Sequence, residues 1–216
     1  MTPFALPGVY APQGDTDLLV QSLRREPLLP QARVLDLGTG TGAVALAAAR
    51  LGAKVTAVDI SWRAVLNARI NAALARLPLR VMRGRLLAPV SGRSFDLVLS
   101  NPPYVPSPAA DRRRGAARSW NAGHDGRLVL DRICRDVPAL LRAGGVLLLV
   151  QSALSGPEKT LRLLRAAGLN TQVVEHRRIV FGPILRSRSN WLQSRGLLED
   201  DDEKEELVII RAERLP

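Results

Sequence analysis

Residues 34–42 read VLDLGTGTG, an apolar run that turns into a glycine-rich loop before an alanine-rich stretch. The apolar run is typical of a buried strand, and the alanine-rich stretch that continues to Leu51 is typical of a helix. Three glycines at alternate positions let the backbone bend tightly and let a ligand approach the start of that helix. The stretch therefore predicts a strand, a ligand-binding loop and a helix in succession.

The same alternation continues on both sides of this unit. Near-continuous apolar strands that are separated by helices indicate a parallel sheet covered on both faces. We therefore predict an α/β, Rossmann-like fold with a mostly parallel seven-stranded sheet and helices on both faces. The expected strands are 33–37, 54–58, 79–82, 94–99, 146–150, 171–180 and 206–211. The expected helices are 15–24, 42–51, 61–76, 125–141 and 157–167.

The length of 216 residues and the hydrophobic content of 46% fit one globular domain over residues 1–216. Residues 184–204 separate the last two strands, and we interpret them as an inserted hairpin with a solvated acidic run. No apolar run is long enough to cross a bilayer. The single cysteine, Cys134, cannot form an internal disulfide. These features predict a cytoplasmic protein without a membrane partner.

The chain is strongly basic, since 31 Lys and Arg residues against 20 Asp and Glu residues give a formal net charge of +11. A basic protein is attracted to polyanions, so contact of its basic loops with RNA or the ribosome is one interpretation. The other interpretation is a genomic bias toward arginine codons, in which case the arginines have no binding role. Arg112–Arg114 and Arg118 place part of the charge in the polar loop 105–121.

Two carboxylates lie at the ends of the first two predicted strands. Asp36 lies two residues before the first glycine, where a carboxylate suits a cationic ligand such as S-adenosylmethionine better than an anionic pyrophosphate. Asp59 ends the next strand, where it can accept both ribose hydroxyl protons; a charge at a helix N-terminus is the alternative reading. With Gly38 and Gly40, these residues form the predicted cofactor half of a site.

Residues 100–104 read SNPPY directly after the apolar strand FDLVL. The lone pair of a carboxamide or exocyclic amine is delocalised, so such a nitrogen must be aimed at a methyl donor before it can react. The Asn101 side-chain carbonyl and the Pro102 backbone carbonyl can each accept one N–H of a planar NH2 group. Pro102 and Pro103 stiffen the turn, and Tyr104 offers a flat face for stacking.

The predicted catalytic residues are Asn101, Pro102, Pro103 and Tyr104, and Asn101 is also a predicted cofactor contact. The acceptor is then a glutamine or asparagine amide, or the amino group of adenine or cytosine. A metal is not required, because a sulfonium is already an activated leaving group. His124 and His176 lack companions for a metal site or a triad, and we interpret both as structural.

Five segments match one known family in order along the chain: 36–49, 57–61, 64–72, 95–105 and the HDG at 124–126. They resemble the HemK-type branch of class I S-adenosylmethionine-dependent methyltransferases, which methylate glutamine N5 of translation release factors. The start, GVYAPQGDTDLLVQSL (8–23), is similar to short members that lack a separate N-terminal domain.

The resemblance implies a fold, a cofactor and partners. It implies that residues 1–30 fold over S-adenosyl-L-methionine, with Thr16 as a contact and Tyr10 as a further candidate. Leu86 would line the adenine pocket and Ile60 would pack on the ring. Where many members have an acidic residue that accepts the adenine amino group, this chain has Arg85, which has no acceptor.

The resemblance also implies a release factor as substrate and a small zinc-containing activator subunit that covers an apolar edge. An RNA or DNA adenine or cytosine amino-methyltransferase is the alternative, favoured by the net charge. A third hypothesis is a non-catalytic scaffold that kept the fold, and the intact NPPY sequence argues against it.

Overall fold

A computed structural model describes residues 3–108 and 122–216 of the chain. The strands in these stretches are β1 (Arg33–Leu37), β2 (Lys54–Asp59), β3 (Leu79–Arg83), β4 (Phe95–Ser100), β5 (Leu141–Ser152), β6 (Leu169–Val180) and β7 (Lys204–Arg214). The α-helices there are α1 (Gly14–Arg25), α2 (Ala43–Arg50), α3 (Trp62–Ala75), α4 (Leu130–Asp136), α5 (Pro157–Ala166) and α6 (Pro183–Ser194). Up to β4, every predicted element has the expected type and lies within about one residue of its expected bounds, well inside ordinary boundary uncertainty.

The strands form one sheet in the order β3-β2-β1-β4-β5-β7-β6. β7 pairs antiparallel with β5 and β6, and the remaining pairs are parallel. The chain moves outward from β1 in one direction to β3 and in the other direction from β4 onward, and ligands bind where the strand order reverses in this way. The predicted Rossmann-like, mostly parallel seven-stranded sheet is confirmed.

The core lies at the centre of this sheet. Leu35, Val98, Leu148 and Ile210, from four adjacent strands, are fully buried. Central strands covered on both faces bury successive side chains without alternation, and this explains their continuous apolar sequences. The centre of the sheet is therefore a fixed scaffold for the loops at its carboxyl edge.

The helix predicted over residues 125–141 was wrong at its start. α4 begins only at Leu130 and is followed by a short 3-10 turn, Val137–Leu140. Gly126 has a left-handed φ of +75°, and a Cβ there would lie 2.3 Å from the Tyr104 carbonyl oxygen. The HDG segment is therefore a tight turn packed on the NPPY turn, a close approach that only glycine permits.

Gly144 and Gly145 do not end that helix as predicted. They lie inside β5, where the register against β4 shifts between Phe95 and Leu97. Gly144 has a left-handed φ of +73°, and a Cβ at Gly145 would lie 2.8 Å from the Arg142 carbonyl oxygen. The pair forms an irregularity that lets the strand start early and continue into the core.

Residues 184–204 contain a helix, and the predicted inserted hairpin was wrong. α6 occupies most of the segment, and its Leu185 and Leu192 are buried against Phe181 in a second small apolar cluster. Their spacing of seven residues is that of one helical face. The acidic run from Glu199 to Glu203 is exposed, as expected.

In the described part of the chain, no helix combines the length and the apolar character that a membrane span requires.

Candidate active site

The candidate site lies at the carboxyl edge of β1, β2 and β4. Leu37 pairs with Val58 of β2 on one side and with Ser100 of β4 on the other. The residues that follow these strands therefore meet at one edge of the sheet. Asp59 and Asn101, 42 positions apart in sequence, line the same cavity.

The cavity has a volume of about 730 Å³, which is in the range of sites for cofactor-sized ligands. All ten predicted site residues line it: Thr16, Asp36, Gly38, Gly40, Asp59, Leu86, Asn101, Pro102, Pro103 and Tyr104. Tyr10, Ile60 and Arg85 line it as well. The two histidines lie elsewhere: His124 contacts the Trp191 ring edge-on at 5.4 Å, and His176 Nδ1 lies 2.7 Å from Glu206.

The glycine loop is shaped for a ligand. Gly38 has a left-handed φ of +80°, and a Cβ built on it would have no atom within 4 Å. Glycine adopts this backbone conformation without strain and leaves the space beside it open to a ligand. The loop is held in place because the Gly40 N–H donates to Asp59 Oδ2 at 3.0 Å.

The two strand-end carboxylates are oriented by the loop. Asp36 Oδ2 accepts hydrogen bonds from Thr39 Oγ1 at 2.6 Å and from the Ala45 N–H at 3.1 Å. Burial, against the effect of these two bonds, raises the pKa of Asp36 to about 6. Burial also raises the pKa of Asp59, whose Oδ1 accepts the Ser61 N–H at 2.8 Å. Burial destabilises the charged form of both carboxylates. A ligand that stabilises this charged form is therefore favoured at the site.

We expect the affinity for S-adenosylmethionine to fall as the pH is lowered through 6. A cationic ligand binds the ionised Asp36, and a carboxyl with a pKa near 6 is ionised in roughly nine of ten molecules at pH 7 but in one of ten at pH 5. Titration calorimetry at these two pH values should give a dissociation constant about tenfold larger at pH 5.

The Asp36→Asn variant should bind S-adenosylmethionine weakly at both pH values. The pH dependence of its affinity should be only the part that Asp59 contributes. The surface variant Asp136→Asn should keep the wild-type dependence. A wild-type dissociation constant that does not change between pH 5 and 7 would contradict the cationic contact at Asp36.

The NPPY turn is braced from the N-terminal segment. The Asn101 Nδ2 group lies 3.5 Å from Thr16 Oγ1 and donates toward it, so the Asn101 side-chain carbonyl oxygen points away from this contact. Tyr104 is buried, and its hydroxyl donates to Asp15 Oδ2 at 3.1 Å. Arg188 of α6 donates to the Val105 and Pro106 carbonyl oxygens at 2.9 and 3.2 Å and holds the chain beyond the turn.

Asp15 is a functional candidate that the sequence analysis missed. Its side chain is only 3% exposed and accepts four hydrogen bonds from three residues. Tyr10 and Tyr104 donate their hydroxyls at 2.8 and 3.1 Å, and Thr16 donates its N–H at 2.6 Å and its hydroxyl at 3.2 Å. One carboxylate thereby joins the N-terminal segment to the NPPY turn. The sequence signal was its position beside Thr16 at the start of α1.

The cavity residues fit S-adenosylmethionine, the cofactor predicted from the sequence. Asp36 offers a carboxylate that suits a cationic ligand, Asp59 offers one that can accept ribose hydroxyl protons, and the glycine loop leaves room beside them. Leu86 and the half-exposed Ile60 offer apolar contacts, while Arg85 is exposed at the rim. Among the described residues, no group of three or more His, Cys, Asp or Glu side chains is arranged to hold a metal ion.

Comparison with known proteins gives the family. Residues 2–117 match the model of the methyltransferase small domain. A Methanocaldococcus jannaschii protein with the provisional name protein N5-glutamine methyltransferase is 33% identical over 181 residues, which are 83% of this chain and 90% of that protein. A Deinococcus radiodurans release factor glutamine methyltransferase is 41% identical over 165 residues, which are 72% of this chain and 57% of that enzyme.

Among solved structures, the E. cuniculi Mtq2-Trm112 complex, described as responsible for methylation of the eRF1 translation termination factor, contains a similar chain. The TM-score is 0.69 with 28% identity, and the match covers 96% of this chain and 99% of the other. The match spans little more than half the length of the bacterial release factor enzyme and nearly all of the archaeal protein. With its strand order and its cavity, the chain belongs to the methyltransferase small domain family and has the class I, Rossmann-like methyltransferase fold.

Proposed function

We propose that this protein transfers a methyl group from S-adenosylmethionine to the side-chain amide nitrogen of a glutamine in a polypeptide such as a translation release factor. One observation carries the proposal: the carboxylates that end β1 and β2 and the NPPY turn after β4 line one continuous cavity. A methyl donor and a planar acceptor can therefore lie side by side.

The chain contributes orientation and charge. When bound, S-adenosylmethionine supplies an electrophilic methyl group on a sulfonium. We propose that the Asn101 side-chain carbonyl and the Pro102 backbone carbonyl accept the two N–H groups of the target amide, so that its nitrogen is aimed at the methyl. Two acceptors also stabilise the positive charge that develops on the nitrogen as the carbon–nitrogen bond forms and the carbon–sulfur bond breaks. One N–H proton would then be lost to solvent, which leaves a neutral secondary amide and a neutral thioether. The Tyr104 ring would stack on the amide plane.

The comparisons support glutamine as the target. The M. jannaschii protein is named for glutamine N5 methylation, and the D. radiodurans enzyme is named for release factors. The E. cuniculi complex is described as acting on eRF1. Two segments resemble those of glutamine methyltransferases, and both contribute to the cavity: the first residues of segment 36–49 and the NPPY turn line it.

A nucleobase amino group is the second candidate, favoured by the formal net charge of +11. The cavity itself is lined by more acidic than basic side chains. Its charged lining residues are Asp15, Asp36, Asp59 and Glu205 against Arg85 and Arg132. Acidic walls repel a phosphodiester and accept an amide. Arg112–Arg114 and Arg118, on which the proposal of RNA or ribosome contact rests, lie outside the described residues.

We also propose that a small activator subunit binds this chain, as Trm112 binds Mtq2 in the E. cuniculi complex. The support in this chain is an exposed apolar face on α3, which packs against the edge strand β3. Trp62 and Leu66, one turn apart, are 56% and 43% exposed, and Leu74 is 55% exposed. An apolar face of this kind beside a sheet edge is typical of an interaction surface.

Labelling with tritiated S-adenosylmethionine tests the proposed function. The wild-type protein is added to an extract of source-organism cells that lack their own copy of the gene, so that acceptors are unmethylated. Label should survive nuclease, disappear with protease, and be found by mass spectrometry on a glutamine side chain.

Label that survives protease but not nuclease would contradict the glutamine proposal and support the nucleobase alternative. Purified protein that labels purified release factor as fast as it labels the factor in extract would contradict the need for an activator.

A further inference from the structure

Glu205 is a buried carboxylate that has no role in the proposed reaction. It lies at the start of β7, is 6% exposed, and lines the cavity together with Asn101 and Tyr104. Within residues 3–108 and 122–216, its Oε2 atom is buried and has no hydrogen-bond partner. A buried acceptor of this kind is destabilising unless a ligand satisfies it.

Among the described residues, no cation contributes to the pKa shift of Glu205. Burial and the negative charge of Asp15 raise the pKa of Glu205 to about 7, while a hydrogen bond from the Ser152 side chain lowers it. Glu205 in turn contributes to raising the pKa of both Tyr10 and Tyr104. The carboxyl therefore lies close to the Asp15 cluster, at the acceptor side of the cavity.

The neighbouring donors are engaged. The hydroxyls of Tyr10, Tyr104 and Thr16 donate to Asp15, and Asn101 Nδ2 donates to Thr16. Within residues 3–108 and 122–216, no donor reaches Glu205 Oε2, so a molecule that enters the cavity can supply one. In the proposed reaction, both N–H groups of the target amide are already bound by Asn101 and Pro102. The donors that every polypeptide carries beside a glutamine are backbone N–H groups.

We propose that Glu205 is a substrate-binding residue that accepts a backbone N–H hydrogen bond from the polypeptide that presents the target glutamine. This assignment rests on the proposed function of the same cavity. It gives the acceptor side a second acidic group beside Asp15, which selects a polypeptide and disfavours a nucleic acid through repulsion of its phosphates.

Glu205→Gln tests the assignment, because glutamine has nearly the same volume and lacks the charge. The matched control is Glu206→Gln, since Glu206 is the next residue of β7 and pairs with His176 on the surface. Each variant and the wild type are added to the gene-deleted extract at saturating tritiated S-adenosylmethionine and at limiting acceptor. Cofactor affinity and melting temperature are measured on the purified proteins.

We expect Glu205→Gln to label protein about fivefold more slowly than the wild type, because its amide oxygen accepts only a weaker, neutral hydrogen bond in place of the charge-assisted one. Its cofactor affinity should be unchanged and its melting temperature equal or higher, because the cost of burying a charged group has been removed. Glu206→Gln should label at the wild-type rate. This combination separates substrate binding from a structural role, which would lower the melting temperature instead.

Three results would overturn the assignment. If Glu205→Gln labels protein at the wild-type rate, the role of Glu205 fails and the proposed function stands. If Glu205→Gln is less stable or does not fold, the carboxyl is structural. If the wild-type label is nuclease-sensitive, or if nothing is labelled, the proposed function fails and the backbone N–H contact fails with it.

Discussion

Asn101→Ala should lower kcat by at least about a hundredfold, the scale observed when one preorganised contact to a developing charge is lost. The Asn101 side chain supplies one of the two carbonyls that would hold the target NH2 group. Alanine removes that carbonyl and leaves the Pro102 carbonyl alone to orient a delocalised nitrogen. The affinity for S-adenosylmethionine should change little, because Asp36 and Asp59 would hold most of the cofactor.

Asn170→Ala is the matched control, since Asn170 is exposed on β6. It should have the wild-type kcat. Asn101→Asp adds a finer test, because an aspartate keeps an acceptor but loses the amide donor to Thr16, and its kcat should lie between those of the wild type and Asn101→Ala. Turnover by Asn101→Ala at the wild-type rate would remove Asn101 from the mechanism.

Asp15→Asn should lower kcat about ten- to a hundredfold, although Asp15 need not contact the reacting atoms. Its carboxylate accepts hydrogen bonds from Tyr10, Thr16 and Tyr104, and Thr16 in turn accepts from Asn101. The two tyrosine hydroxyls share Oδ2 and the two Thr16 donors share Oδ1. An asparagine has only one oxygen, so one of these two pairs loses its acceptor, and either Tyr104 or the Thr16 contact to Asn101 loses its fixed position. A positioning error of about 1 Å can cost on the order of a hundredfold in rate.

The exposed neighbour Asp17 on the same helix provides the control, and Asp17→Asn should be as active as the wild type. Tyr104→Phe, which keeps the ring and removes the hydroxyl, completes a double-mutant cycle with Asp15→Asn. Coupled residues typically show an interaction free energy of about 0.5–3 kcal/mol. If the two changes in activation free energy simply add, Asp15 does not act through Tyr104.

The fold up to residue 100 could be predicted because its signals are local. Val34–Gly42 contains a strand, its loop and the start of a helix within nine residues, and parallel strands buried on both faces read as continuous apolar runs. Parallel topology then brings the ends of β1, β2 and β4 together. For this reason Asp36, Asp59 and Asn101 were predicted as parts of one site, and all three line the same cavity.

The second half of the chain was harder to predict because its turns depend on tertiary contacts. Asp125 looks like a helix cap, yet its Oδ1 accepts the Arg127 N–H within a turn that Gly126 packs against Tyr104. In the same way, Leu185 and Leu192 have helical spacing, but the acidic run after them suggested a solvated hairpin. The apolar cluster with Phe181, which stabilises α6, is not visible from local sequence.

Asp15 and Glu205 were missed for a related reason. Neither lies in a recognisable loop, and they are 190 positions apart. Asp15 reaches the site because α1 packs on the sheet, and Glu205 reaches it because β7 runs antiparallel between β5 and β6, which brings its first residues to the carboxyl edge of β5. Strand direction at the end of the sheet is a property of the whole fold.

The central claim is that the NPPY turn aims a planar amide nitrogen at the methyl group of a cofactor held by the glycine loop. A crystal structure of the complex with S-adenosylhomocysteine and a glutamine peptide of the acceptor tests it most directly. We predict that the amide nitrogen donates to Asn101 Oδ1 and the Pro102 carbonyl, with room for a methyl in line between that nitrogen and the cofactor sulfur, about 3–3.5 Å from the nitrogen. A glutamine amide bound away from Asn101, with the cofactor sulfur out of line with its nitrogen, would contradict the account.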